Sequence, residues 1–338
     1  MKQEEIETVR NWLSSPKKIA IIPHRSPDGD AMGSTLGLYH FLLKFGHDPL
    51  VVVPNEFPDF LSWMPGSEAT VVYEKDRENV SRQLEKAELV FTLDFNALHR
   101  TGEMETVLKR LKVPFIMIDH HQHPEDYAAV RYSETRFGST CEMLYNFIGF
   151  LGHEGDIDHT IATCIYTGIM TDSGNFRFPS TSSTTHRIAA DLIDKGVDNA
   201  RIYSQVYDSN SYERMQLVGR ALQNMKLIPE KKTSYITLSQ EELDTFRYIK
   251  GDTEGVVNYG LSVKGIVFTA IFIEHRDENI IKISFRSKGD FDVNRFARTH
   301  FNGGGHINAA GGKSNDSLAE TVRRFEKLVA DIEIHDYV

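Results

Sequence analysis

Three short apolar runs do most to limit what this chain can fold into. Ile19-Ala20-Ile21-Ile22, Leu89-Val90-Phe91-Thr92-Leu93 and Phe115-Ile116-Met117-Ile118 are continuous rather than alternating, as strands covered on both faces are. Amphipathic segments separate them. Met32, Leu36, Tyr39 and Leu43 recur at helical spacing until Gly46, and charged helices fit residues 76–86 and 103–111. With further strands at 50–53 and 71–73, the alternation predicts an α/β domain: a parallel sheet with helices on both faces. In such sheets ligands collect beyond the carboxyl ends of the strands. Each apolar run ends there in ionisable residues: His24, Asp28 and Asp30, then Asp94, then Asp119-His120-His121.

His24-x-x-x-Asp28-x-Asp30 supplies an imidazole and two carboxylates, a mixed nitrogen and oxygen set suited to a divalent metal. Asp-Gly-Asp alone is also an ordinary turn; the histidine and the buried strand before it favour the metal. Gly29 between the carboxylates is expected to let the chain turn tightly. Asp94 is either a ligand or the N-cap of the next segment. Adjacent side chains of an extended chain point to opposite faces, so one of His120 and His121 should face metal and the other substrate. Asp119 would orient a ligand histidine from behind. Asp172 falls where a helix over 161–170 ends, a position at which the helix dipole disfavours a carboxylate unless a cation is near. The other reading is a loop aspartate beside Gly174.

From about residue 233 the character changes. Strands fit 235–238, 266–273 and 280–285, with Asp277-Glu278-Asn279 as a hairpin turn, and helices fit 293–300 and the segment opened by Ser317-x-x-Glu320. The expected organisation is a domain over 1–198, a helical connector over 199–230 and a smaller α+β domain over 231–338. In the latter, Gly303-Gly304-Gly305-His306 is either a flexible turn or a phosphate loop whose bare N–H groups allow close approach. Arg286-Ser287-Lys288 at a strand end adds a guanidinium fit for bidentate phosphate contact.

A formal charge of −10 over 338 residues argues against coating long or duplex nucleic acid, because surfaces that track phosphates are basic. The two cysteines, Cys141 and Cys164, form no disulfide framework and are expected as buried thiols. No apolar stretch nears the roughly 18 residues of a membrane span, and the charged first residues lack a signal core; a cytoplasmic protein that binds no membrane is expected.

With these segments in hand, the sequence resembles the DHH phosphoesterase family. His24-x-x-x-Asp28-x-Asp30-x-x-Gly33-Ser34 is similar to its first motif, Asp94 with Arg100-Thr101-Gly102 to its second, and Asp119-His120-His121 to its third. Residues 168–176, Gly-Ile-Met-Thr-Asp-Ser-Gly-Asn-Phe, resemble its fourth. Phe285-Arg286-Ser287-Lys288 and Gly303-Gly304-Gly305-His306-x-x-Ala309-Ala310-Gly311-Gly312 resemble the DHH-associated domain. Within the family, the likeness is to the stand-alone bacterial oligoribonuclease and pAp phosphatase branch.

The resemblance implies two manganese ions in a cleft between the domains, with magnesium or cobalt as substitutes. His24 and Asp28 would hold one ion and Asp30, His120 and Asp172 the other, with Asp94 bridging. His121 would face the scissile phosphate as a catalytic group, with Asp119, also counted as catalytic, behind the ligand histidines. Arg100, Arg286, Ser287, Gly303, Gly304, Gly305 and His306 would hold substrate. The implied substrates are short RNA oligonucleotides, cut to nucleoside 5′-monophosphates, and 3′-phosphoadenosine 5′-phosphate (pAp), cut to AMP and phosphate, by a homodimer. A phosphodiesterase for cyclic or linear dinucleotides is the alternative enzyme. A nucleotide-binding regulator that does not hydrolyse its ligand is the alternative of another class, and the complete ligand set argues against it.

Overall fold

The computed structural model describes residues 1–331, and the chain divides into two compact units, Met1–Ser209 and Asn210–Val338. The strands of the first are β1 (Lys18–Ile22), β2 (Asp48–Val53), β3 (Val71–Val72), β4 (Leu89–Leu93), β5 (Phe115–Asp119) and β6 (Val130–Ser133). Its helices are α1 (Gln3–Trp12), α2 (Gly29–Lys44), α3 (Arg77–Leu84), α4 (Glu105–Leu108), α5 (Thr140–Phe150), α6 (His159–Asp172), α7 (Ser183–Asp194) and α8 (Asn199–Tyr207). The six strands form one sheet in the order β3-β2-β1-β4-β5-β6, every pair parallel.

Successive residues of each central strand feed opposite cores, as the two-residue period requires. Ile19, Ile21, Phe91, Leu93, Ile116 and Ile118 pack under α1, α2, α5, α6 and α7, whereas Ala20, Ile22, Val90 and Phe115 pack under α3 and α4. Both faces are covered, so the central strands read as unbroken apolar runs. Their order puts β1, β4 and β5 side by side with their carboxyl ends level: Ile22 is opposite Thr92, and Leu93 is opposite Ile118.

The second unit holds α9 (Tyr212–Gln223), β7 (Lys226–Ile228), β8 (Thr233–Leu238), α10 (Gln240–Thr245), α11 (Asn258–Ser262), β9 (Phe268–His275), β10 (Ile280–Ser287), α12 (Val293–His300), β11 (Gly304–Gly305), β12 (Ala309–Ser314) and α13 (Leu318–Asp331). Its six-stranded sheet is mixed, in the order β11-β12-β10-β9-β8-β7, with β8 and β9 parallel and the other pairs antiparallel. One face carries a phenylalanine cluster in which Phe268 meets Phe291, Phe296 and Phe325 at centroid distances of 4.7, 5.1 and 5.6 Å. The hairpin expected around 277–279 joins β9 and β10, with His275 opposite Ile280 and Asn279 at φ 50°.

The helices of residues 199–223 divide between the units. Ile202 and Val206 of α8 join the first core, while Leu217 and Ala221 of α9 join a core of the second. Both cysteines are buried and unpaired. No helix among the described residues is long and apolar enough to cross a membrane.

Candidate metal centre

The ends of β1, β4 and β5 and the facing ends of α2, α5 and α6 bring six of the expected ligands together. His24 Nε2 lies 3.3 Å from Asp94 Oδ2 and 3.9 Å from Asp28 Oδ1. His120 Nε2 lies 3.4 Å from Asp94 Oδ1, 3.4 Å from Asp172 Oδ2 and 3.9 Å from Asp30 Oδ2. Two groups result, each with ligand atoms within 4.8 Å of one another: His24, Asp28 and Asp94, and Asp30, His120 and Asp172. Asp94 belongs to the first through Oδ2 and reaches His120 of the second through Oδ1.

Each imidazole is oriented from its other nitrogen. His24 Nδ1 pairs with the Arg25 carbonyl at 2.8 Å and His120 Nδ1 with the Phe137 carbonyl at 3.2 Å. A proton on each Nδ1 turns Nε2 toward the carboxylates, where its lone pair becomes available to a metal once its own proton is displaced, the arrangement of a metal-binding histidine. Asp28 serves twice, because its Oδ1 also accepts from the N–H groups of Asp30 and Ala31 at 3.1 Å as the N-cap of α2. Asp172 closes α6, as expected, with His120 the adjacent group of opposite charge.

Several local expectations are corrected. Asp94 is no N-cap; the next helical turn begins at Leu98 behind Ala97, and Asp94 itself adopts a left-handed backbone at φ 65°. His120 and His121 do not diverge. The chain leaves β5 at Asp119, and the two rings meet edge to face with centroids 4.9 Å apart. Asp119 holds His121, Oδ1 to Nδ1 at 2.7 Å. Gly29 has no left-handed backbone; a β-carbon there would lie 2.3 Å from Thr171 Oγ1, so close approach of α6 is what requires glycine.

Sequence reasoning missed the N-terminus of α5. The Thr140 and Cys141 N–H groups donate to Asp30 Oδ2 at 2.6 Å and Oδ1 at 2.9 Å, and the Thr140 hydroxyl donates to Asp94 Oδ1 at 3.0 Å. A helix N-terminus is a natural seat for a carboxylate. The signal was Ser139-x-x-Glu142, which marks the helix start but not what the first turn faces. The spacing suggests a reciprocal capping box, of which only half forms: Ser139 Oγ accepts from Glu142 N, while the Glu142 carboxylate accepts from Thr185 Oγ1 at 2.9 Å.

Burial is the largest influence on Asp30, Asp94, Asp172, His24 and His120. It drives the Asp30 carboxyl well above the usual carboxylate range, helped by Asp94 and Asp172, and pushes Asp172 up to about 7. Burial opposes charge on His24 and His120 as well, but the neighbouring carboxylates, Asp94 foremost, outweigh it and both pKa values are raised. Against its own burial, Asp94 is held well below the usual range by hydrogen bonds from His120 and His24. The cluster therefore keeps protons that a divalent cation would displace, and its carboxylate and imidazole donors fit such a cation.

Arg100 lies in the helical turn Leu98–Met104 after β4, where its carbonyl accepts from Arg25 N at 2.8 Å. In the second unit, Arg286 is half-buried on β10 and its Nη1 donates to the Phe285 carbonyl at 2.9 Å. Ser287 is buried, donating to the Phe291 carbonyl at 2.6 Å and accepting from Asn308 Nδ2 at 2.9 Å. The glycine run is a sheet edge rather than a loose turn: Gly304–Gly305 pairs with Gly311 and Ala310. β-carbons on Gly303 and Gly305 would lie 2.0 and 2.4 Å from carbonyl oxygens of Gly311 and Ala309, whereas Gly304 has no such atom nearer than 3.8 Å. His306 closes the following turn through its N–H to the Ala309 carbonyl at 2.7 Å.

The model for the DHH family, N-terminal domain, matches residues 18–169, and that for the DHHA1 domain matches residues 233–333. A bifunctional oligoribonuclease and PAP phosphatase of Thermus thermophilus is 31% identical over 299 residues, covering 87% of this chain and 83% of the relative. The chain belongs to the DHH family. A second DHH relative, the probable bifunctional oligoribonuclease and PAP phosphatase of Streptococcus mutans, is 29% identical over 95% of this chain and 97% of its own. The crystal structure of an exopolyphosphatase-related protein from Bacteroides fragilis superposes with a TM-score of 0.93 at 42% identity, over 97% of this DHH chain and 96% of that one.

Proposed function

We propose that this chain is a two-metal phosphoesterase that cuts short oligoribonucleotides to nucleoside 5′-monophosphates and pAp to AMP and phosphate. Asp94 carries the reading: one oxygen faces the His24 group, the other the His120 group, as a carboxylate shared by two ions would. The names borne by the Thermus and Streptococcus relatives support the substrate class. One ion is assigned to His24, Asp28 and Asp94, the other to Asp30, His120, Asp172 and Asp94. The proposed metal is manganese, with magnesium or cobalt able to substitute. Bound there, two ions supply a water of lowered pKa and neutralise the phosphoryl charge.

The chain's own groups do the rest. His121, steadied by Asp119 through Nδ1, offers its other ring nitrogen to the phosphate or the leaving oxygen. Arg100, Arg286, Gly304 and His306 are assigned to substrate phosphates, with Ser287, Gly303 and Gly305 shaping that surface. We also read the protein as a cytoplasmic homodimer; its two buried, unpaired thiols suit a reducing compartment.

A product assay with manganese across pAp, linear diadenylate and cyclic diadenylate tests the proposal. Release of AMP from the first two is expected. Turnover of the cyclic substrate alone would replace this reading with the cyclic dinucleotide one, and tight nucleotide binding without any product would replace it with a regulator.

A further inference from the structure

One residue touches both the carboxylate shared between the two ligand groups and a carboxylate of the second group. Thr140 is fully buried; its N–H reaches Asp30 Oδ2 at 2.6 Å and its hydroxyl reaches Asp94 Oδ1 at 3.0 Å. Resting on the two-metal reading above, we propose that Thr140 is the positioning residue that fixes which oxygen of Asp94 serves which ion.

Asp94 needs such a device. Its carboxylate turns about two single bonds, and the left-handed backbone at φ 65° does not set the carboxylate plane. The Thr140 hydroxyl occupies one lone pair of Oδ1. The other lone pair of Oδ1 is left for the His120 group, 3.4 Å away, and Oδ2 for the His24 group, 3.3 Å away. Once a cation displaces the protons of His24 and His120, the hydroxyl is the side-chain donor left on Asp94; without it the carboxylate could turn to grip one ion with both oxygens, leaving the other site one ligand short.

The anchor is itself braced. Ser139 caps α5 through Glu142 N at 3.1 Å, the Glu142 carboxylate accepts from Thr185 of α7, and Cys141 fills the space against Gly168 of α6. The hydroxyl is thus delivered from an element held by its neighbours, which is what a positioning group requires.

Calorimetric titration of manganese into the chelator-treated full chain, with electron paramagnetic resonance of the loaded protein, tests the idea in wild type, Thr140→Val and Thr140→Ser. The expected result is two sites in wild type with a spin-coupled spectrum. In T140V, one site should weaken by about 10–100-fold, the range for losing a partner that orients a ligand, and the coupled spectrum should give way to that of isolated ions. T140S should restore both readouts. If T140V does not fold, Thr140→Ala against T140S makes the same comparison with smaller side chains. Two wild-type-like sites in T140V, or in T140A, would overturn the proposal, as would a T140S variant as impaired as its partner lacking the hydroxyl. These outcomes leave the two-metal reading standing; a wild-type protein that binds no metal pair overturns both.

Discussion

A β-carbon on Gly168 would lie 2.2 Å from the Sγ of Cys141 and 2.9 Å from Asp30 Oδ1. The helix that ends at Asp172 therefore approaches α5 and α2 as closely as a bare backbone permits. Gly168→Ala should cost about 1–3 kcal/mol of stability by overpacking and should weaken metal binding by displacing Asp30. Adding Cys141→Ala removes the Sγ and should recover part of the loss. Denaturant unfolding of the two single variants and the double variant measures the coupling; strict additivity would show that the clash is absorbed elsewhere.

Asp94 is the shared member of the ligand groups, so its replacement should do more damage than loss of any partner that merely orients a ligand. Asp94→Ala and Asp94→Asn should each lower kcat with manganese by more than about a hundredfold. Near-normal manganese-dependent turnover in either variant would remove the proposed site.

In the metal-free protein, Asp172 is pushed up to about 7, and Asp30, His24 and His120 are raised in the same sense. Each of these groups holds its proton more tightly in the folded chain than in the unfolded one. Their contribution to stability is complete below the unfolded pKa and is lost as pH rises through the folded value. Asp94, held low, contributes throughout that range. The chelator-treated protein should thus unfold at lower denaturant at pH 8.5 than at pH 6, and manganese should reverse the trend because the ion replaces the protons. Unfolding curves at both pH values, with and without metal, check the sign.

Arg286 and Ser287 are neighbours with different prospects. The Ser287 hydroxyl already has its acceptor and donor inside the fold, so Ser287→Ala should cost about 1–3 kcal/mol while leaving KM for pAp near the wild-type value. Arg286→Gln should do the converse, raising KM with little change in thermal midpoint. A raised KM in Ser287→Ala at unchanged stability would assign that hydroxyl to substrate instead.

Five of the six candidate ligands could be read from the sequence because they follow the ends of continuous apolar runs, and parallel sheets bring such ends to one edge; Asp172 was marked instead by its place at the end of a helix. What could not be read lies where backbone, not side chain, makes the contact. Thr140 and Cys141 hold Asp30 through N–H groups, which leave no trace in residue type. Ser317 and Glu320 form the full reciprocal box that their spacing suggests, yet Ser139 and Glu142, at the same spacing, do not, because Thr185 claims the second carboxylate. β12 escaped notice because Ala309, Ala310, Gly311 and Gly312 are poor strand formers. It forms nonetheless between β10 and β11, where Phe285 and Phe301 crowd Gly312. The rings of His120 and His121 meet edge to face rather than diverging because the alternation rule applies within a strand, and β5 ends at Asp119, just before them.

The adjacency of β1, β4 and β5 makes the sheet a ruler. Hydrogen-bonded strands repeat at about 4.8 Å, close to the roughly 3.5–4 Å between the ions of a two-metal site. The strand ends that carry His24, Asp94 and His120 are therefore spaced by backbone pairing alone. Loops on the far side of the strands can lengthen, shorten or change composition without altering that interval. A lineage carrying this sheet can revise what it recognises while the interval between these candidate ligands stays constant.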